Sequence, residues 1–299
     1  MCGLRRWSDF LLIGLLKTMR PRQWVKNGFV FVALLFDGLI SVERITNTLL
    51  AFLLLCLVSG AVYLMNDLAD IESDRQHPKK KFRPLPAGQL NTTVAAVAAV
   101  AFSTLSIGLG FWLAQGLGIV LLVYFVSQIA YTFRLKHVVL LDIGIVSLGF
   151  ILRIAAGVTV IEVERFSPWL YLFGGSLALF MILGKRRHEL KLLASGAGKH
   201  RAVLEEYSLP MLDIMITIVT TCVILFYSLY TFLSEGLPEN NLMMATIPFV
   251  LYGMFRYLYL IHIKEEGGAP EEILLRDRPS QINLLIWGSI VIVIIYLLA

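Results

Sequence analysis

An all-α, polytopic membrane protein of about nine transmembrane helices is the fold class that this sequence predicts, and three observations predict it. Hydrophobic residues make up 58% of the 299 and charged residues only 16%, against about a quarter charged in a soluble domain. The mean hydropathy is +0.76. The apolar runs are long enough to cross a hydrocarbon layer of about 30 Å, which takes about 20 residues of helix. Backbone N–H and C=O groups find no partner in lipid, so runs of this kind must be helical.

The spans are expected near 24–41, 46–69, 91–112, 116–133, 138–160, 167–184, 210–233, 241–263 and 281–299. A cytoplasmic or interfacial segment, 1–23, precedes the first, and residues 1–299 are read as one integral membrane domain. The second span ends in a run of acidic residues. Only a glycine-containing turn around Gly116 and Gly118 parts the third from the fourth, so these two are the least secure pair to count. The basic N-terminus runs into a continuing helix without a small-residue cleavage site, and no cleaved signal peptide is expected.

The basic residues test the count of nine. All 26 Lys and Arg residues except Arg44, Arg153, Arg165 and Arg256 fall in the N-terminal segment or in the loops after the even-numbered spans. Under the positive-inside rule these regions are cytoplasmic, and eight spans would break the pattern. The net charge of +5 therefore reflects an anionic leaflet on one side. No nucleic-acid motif surrounds these residues, so nucleic acid is excluded as a partner. Cys2, Cys56 and Cys222 have no disulfide or metal spacing and read as packing residues.

Topology does not explain the carboxylates. The second span ends Tyr63-Leu-Met-Asn66-Asp67-Leu-Ala-Asp70-Ile-Glu72-Ser-Asp74. On a helix, 67, 70 and 74 follow a 0, 3, 7 spacing with Asn66 one turn before Asp70, so four oxygen-bearing side chains share one face. Like charges so close argue for a cation among them. Hard oxygen donors without His or Cys suit magnesium, which bridges one or two carboxylates to a substrate's phosphates. The bland alternative is a solvated acidic helix end matched to the basic loop beyond it. That loop, His77-Pro-Lys79-Lys80-Lys81-Phe-Arg83-Pro-Leu-Pro-Ala-Gly88, sets cations where phosphate oxygens would need them. Its prolines stiffen it, although any single lysine here serves equally well as a topology anchor.

A second group of charges follows. The sixth span ends Gly184-Lys185-Arg186-Arg187-His188-Glu189, the fourth ends Tyr131-Thr-Phe-Arg134-Leu-Lys136, and Asp142 enters the fifth. One acidic face and several phosphate-ready cations on the same side suggest two anionic substrates, one chelated through magnesium and one gripped by Lys and Arg. Arg153 lies about 16 Å deeper along its helix than Asp142. Function, or pairing with a carbonyl or with Glu162, are open readings for it. Arg256 reads as a snorkelling residue near the boundary, and His188, His200 and His262 form no ligand pattern.

Asn66-Asp67-x-x-Asp70-x-x-x-Asp74, Arg83-Pro-Leu-Pro-Ala-Gly88 and the Tyr131 to Lys136 segment together resemble the UbiA-type intramembrane prenyltransferase superfamily over nearly the whole chain. Arg20-Pro-Arg22-Gln-Trp24-Val-Lys26-Asn27, His77-Pro-x-Lys80, Gly184-Lys185-Arg186-Arg187, Gly268-Ala-Pro270-Glu271-Glu272 and Arg276-Asp277-Arg278 resemble its decaprenyl-phosphate phosphoribosyltransferase branch. Prenyl-diphosphate-using relatives carry a second aspartate-rich motif on the sixth helix, where this chain has Lys185, Arg186 and Arg187.

The resemblance implies a UbiA-type bundle with a cytoplasm-facing active site in the bacterial inner membrane, N-terminus cytoplasmic. It implies transfer of 5-phosphoribose from 5-phosphoribosyl 1-diphosphate to a polyprenyl phosphate, for cell-envelope arabinan-type glycan synthesis. Mg2+ would sit on Asn66 and Asp70, with Asp67, Asp70 and Asp74 in catalytic roles. Tyr63, Tyr131, Lys26, Lys80, Arg83, Lys136, Lys185 and Arg186 would bind the substrates. A prenyltransferase acting on an aromatic acceptor is the enzymatic alternative. A polyprenyl-phosphate carrier without chemistry is another, and it fits poorly with charge confined to one side. A homo-oligomer is compatible with the sequence, which does not fix the oligomeric state.

Overall fold

A computed structural model describes residues 12–161, 167–194, 202–238, 240–268 and 276–298. Expectations attached to Cys2, Arg5, Arg6, Glu162, Arg165, Lys199, His200, Arg201 and 269–272 lie outside them. Among the described residues the regular structure is helical, with eight helices long and apolar enough to cross a membrane. The all-α, polytopic class holds. The ninth expected span does not form as a long helix.

That span, 24–41, consists instead of a 3-10 run, Pro21–Val30, followed by a six-residue α-helix, Phe31–Phe36. Three residues per turn stack Trp24, Asn27 and Val30 on one side. Asn27 and Val30 are buried, and the Asn27 amide donates to Cys56 Sγ at 3.3 Å and Ser59 Oγ at 3.2 Å. Arg20, in the left-handed region at φ 54, turns the chain into this run. A buried polar side chain with fixed partners imposes the tighter period that hydropathy alone does not register.

The chain divides into two compact units. The first comprises Met1–Leu34, Ile40–Arg134 and Leu152–Glu162. Its central helix, Val42–Ala69, is capped by Ser41, whose hydroxyl accepts the Arg44 N–H. Ala51, Leu55, Val58, Ala61 and Leu64 bury its inner side. The Thr92–Leu113 and Gln115–Phe133 helices are separated by Ala114 alone. So short a turn presses the two together, and a Cβ on Gly118 would lie 2.3 Å from the Phe111 ring. Ser106 donates to the Leu54 carbonyl at 2.8 Å, the kind of interhelical bond that substitutes for hydrophobic drive in lipid. The proline-rich loop is a folded plug: Leu85 and Leu90 are each 2% exposed, and Leu90 N–H returns to the Pro84 carbonyl at 3.0 Å.

The second unit comprises Leu35–Leu39, Leu135–Ile151 and Val163–Ala299. Its long helices are Pro168–Ala194, Leu209–Leu233, Ile247–His262 and Arg278–Leu297, and the first part of Leu141–Ile161 also belongs to it. Phe180, Leu183, Leu212, Ile216, Val223 and Tyr257 form its core. Tyr227, fully buried, shares a hydrogen with Thr246 at 2.7 Å and accepts from Trp287 Nε1 at 2.8 Å. Asp277 caps the Arg278–Leu297 helix through the Ser280 N–H and holds Arg256 by two hydrogen bonds at 2.7 and 3.1 Å.

Candidate active site

The acidic end of the central helix is a break, not one continuous helical face. Val42–Ala69 stops at Asp70 (φ −99, ψ 9), and a short helix, Ile71–Arg75, restarts beyond it. The hydrogen-bond ladder carries across: Asp70 N–H reaches the Asn66 carbonyl at 3.0 Å and Asp74 N–H the Asp70 carbonyl at 2.8 Å. The geometry thus departs from the plain 0, 3, 7 face. Asp67 and Asp74 are each 1% exposed, whereas Asn66 and Asp70 stay half-buried.

Burying two carboxylates requires paired charge, and three cations supply it. Arg83 Nη1 donates to Asp74 Oδ2 at 2.6 Å and to Asp67 Oδ1 at 3.1 Å. Arg20 donates to the same Asp67 oxygen, and Lys80 Nζ stands 3.2 Å from Asp74 Oδ1. These cations keep 27%, 27% and 39% of their side chains exposed. Arg20 also lies over the Tyr63 ring, 4.7 Å from its centroid, so Tyr63 helps aim it. His77 Nδ1 accepts the Lys79 and Lys80 N–H groups at 3.1 and 3.0 Å, which fixes the backbone that carries Lys80. Two carboxylates thereby hold a fork of three cations whose outer faces meet solvent, an arrangement suited to phosphate.

No local sequence pattern marks Arg20 as part of the cluster, since its contact with Asp67 spans 47 residues. Lys26 is half-buried in the 3-10 run. Its neighbour Asn27 accepts the Nε–H of Arg153 at 2.8 Å, and Arg153 also donates to the Tyr124 hydroxyl at 3.0 Å. The deep arginine is therefore tied to an amide and a phenol. Tyr131, half-buried, ends the Gln115–Phe133 helix of the first unit.

Asn66 and Asp70 offer hard oxygen donors at the helix break. Among the described residues no three His, Cys, Asp or Glu side chains converge as a closed metal cage. This donor set fits magnesium, which takes one or two protein oxygens and completes its shell with phosphate and water.

In the second unit, Lys136 is half-buried in a 3-10 turn, Leu135–His137, and Lys185 is exposed. Arg186 is 4% exposed; it donates to Asp142 Oδ2 at 3.0 Å and to Glu189 Oε2 at 2.6 Å. Arg187 is likewise paired, with Asp213 at 2.6 Å. Of the three consecutive cations, two hold protein carboxylates and Lys185 faces outward.

The profile of the UbiA prenyltransferase family matches residues 28–272. The chain belongs to the UbiA prenyltransferase family. The chain is 36% identical to decaprenyl-phosphate phosphoribosyltransferase of Corynebacterium glutamicum, over 95% of this chain and 87% of that one. It is also 36% identical to the protein of that name from Mycobacterium tuberculosis, over 93% of this chain and 92% of that one. Among solved structures, a UbiA homolog from Archaeoglobus fulgidus bound to GPP and Mg2+ superposes with a TM-score of 0.70. It covers 94% of this chain and 99% of that one, at 17% identity, a likeness of fold. This UbiA-family protein is a multi-pass membrane enzyme of the transferase class.

Proposed function

We propose that the enzyme transfers 5-phosphoribose from 5-phosphoribosyl 1-diphosphate to a polyprenyl phosphate. The observation that carries this reading is the cation fork of Arg20, Lys80 and Arg83 on Asp67 and Asp74, the two carboxylates that flank Asp70 in the chain. Family membership and the names of the relatives agree with it. The diphosphate belongs to the sugar, and the lipid brings a single phosphate. That division suits a chain whose sixth-helix segment carries Lys185, Arg186 and Arg187 in place of chelating carboxylates.

Asn66 and Asp70 would hold magnesium, whose charge would ease departure of the diphosphate. Arg20, Lys80 and Arg83 grip phosphate oxygens of the sugar donor, with Lys26 on its far phosphate and Tyr63 and Tyr131 orienting the ribose. Asp67 and Asp74 act by aiming the fork. In the step itself the bond from the anomeric carbon to the diphosphate oxygen breaks, and an oxygen of the lipid phosphate forms the new bond to that carbon. The lipid phosphate is already an anion and needs no general base. Lys136 and Lys185 hold it, while Arg186 is committed to Asp142 and Glu189. The charged side of the bundle is cytoplasmic.

The test is a pair of incubations with membranes carrying the enzyme. Labelled phosphoribosyl diphosphate with polyprenyl phosphate should give a labelled lipid that depends on magnesium. Labelled prenyl diphosphate with an aromatic acceptor should give none. Label transfer in the second incubation alone would replace this reading with the prenyltransferase that the fold of the GPP-bound homolog also allows.

A further inference from the structure

Three separated segments of the second unit meet on one carboxylate. Asp142, fully buried in the first turn of the Leu141–Ile161 helix, accepts the Tyr207 hydroxyl on Oδ1 at 2.6 Å and the Arg186 Nε–H on Oδ2 at 3.0 Å. Arg186 gives a second N–H to Glu189. The Tyr207 hydroxyl, while donating its hydrogen bond to Asp142, accepts the Leu140 N–H at 2.8 Å. Tyr207 is 5% exposed. Burial, with the bond to Asp142 adding to it, pushes its phenol up to about 12, so it remains a donor throughout the working range.

The segment held in this way is strained. Leu140 sits at φ 68, a left-handed conformation that a non-glycine residue keeps only where its surroundings impose it. Its amide hydrogen ends on Tyr207, and two amides of the helix start, Asp142 and Gly144, bond to the Val138 and Leu140 carbonyls. At its far end the segment from Leu135 to Leu141 is thus tied to a distant part of the unit by the Tyr207 hydroxyl, alongside its local backbone bonds. Lys136 stands four residues before the pin. On the other side of Asp142, Arg186 turned inward leaves its neighbour Lys185 turned outward.

We propose that Asp142, Tyr207 and Arg186 form a positioning lock that sets Lys136 and Lys185 in register for the single phosphate of the lipid substrate. Tyr207 acts as a positioning residue that touches no substrate. The proposal rests on the reading of Lys136 and Lys185 given above.

The experiment uses the full-length wild-type enzyme and Tyr207→Phe, with amide hydrogen exchange over 135–142 and steady-state kinetics toward each substrate. Leu140 should exchange as slowly as the flanking helix in the wild type and at least tenfold faster in Tyr207→Phe. The variant's KM for polyprenyl phosphate should rise about tenfold, with KM for phosphoribosyl diphosphate unchanged. A loop-fast rate at Leu140 in the wild type overturns the lock without any variant, as does an unchanged rate in Tyr207→Phe. Faster exchange with both KM values unchanged, or with both raised alike, overturns the positioning role. A wild type that turns over neither substrate removes the functional reading, while the exchange arm still reports on the lock separately.

Discussion

Asp67 and Asp70, three positions apart, do different things, and substitution should separate them. Asp67 is buried beneath Arg20 and Arg83. Asp67→Ala takes the carboxylate from Arg20 and leaves Arg83 with Asp74 alone, and it should cost about 1–3 kcal/mol of stability, read as a fall in Tm of the solubilised protein. Asp70 is half-buried at the helix break. Asp70→Ala should leave Tm nearly unchanged while lowering kcat by about 10²–10³, the scale for losing one charge-stabilising group. Full activity in Asp70→Ala would refute its metal role. The existence of this cluster was legible in the sequence because its carboxylates lie within one stretch of nine residues, Asn66 to Asp74. What was not legible is which carboxylate is consumed by protein cations. Arg20 comes from 47 positions upstream and Tyr207 meets Asp142 across 65, and no local pattern encodes such pairings.

At the scale of elements, two constraints carry measurable consequences. The first is the close approach of the Leu141–Ile161 helix to the 3-10 run: a Cβ on Gly157 would lie 2.0 Å from the Val30 carbonyl oxygen. Backbone cannot yield as a side-chain tip can, so Gly157→Ala should displace the run that carries Lys26. We expect it to destabilise by about 1–3 kcal/mol and to reduce turnover more than Gly108→Ala, where nothing lies within 4 Å. Equal effects of the two would refute this. The second is the cap of the Arg278–Leu297 helix. The Arg256 guanidinium, helped by the two Ser280 bonds and against the upward push of burial, holds the Asp277 carboxyl well below the usual carboxylate range. The stabilisation from a depressed folded pKa is fully present above the unfolded value of about 3.8 and is lost progressively as pH falls from there through the folded value. The Tm difference between wild type and Asp277→Asn should therefore be constant from pH 8 to about 5 and shrink below about 4. Most element boundaries were readable from hydropathy, but the turn between the third and fourth spans falls at Ala114, and Gly116 and Gly118, where the sequence predicts it, already lie within the Gln115–Phe133 helix. The first span was not, because Asn27 and its bonds to Cys56 and Ser59 set a 3-10 period that apolar content does not reveal.

For the whole molecule the open quantity is the number of crossings. Among the described residues eight helices satisfy the length and hydropathy demanded of a span, yet the distribution of Lys and Arg calls for an odd number. Pro21–Val30 and Phe31–Phe36 are the candidate for the missing crossing. Ten residues rising about 2.0 Å each and six rising about 1.5 Å reach roughly 29 Å, close to the hydrocarbon thickness of about 30 Å. A segment tighter than an α-helix is longer for its residue count, so 16 residues suffice where about 20 are usual. The run should then cross the membrane, and the N-terminus should lie on the same side as the 70–90 loop. Impermeant maleimide labelling decides this in intact cells, using native Cys2, Lys79→Cys in the loop, and Glu235→Cys beyond the Leu209–Leu233 helix. With 21–36 as a crossing, Cys2 and Lys79→Cys are both shielded until the cells are opened and Glu235→Cys is labelled at once. If 21–36 only lies along the surface, Cys2 and Lys79→Cys must fall on opposite sides. One of them would then label in intact cells, and the charge pattern would need another explanation.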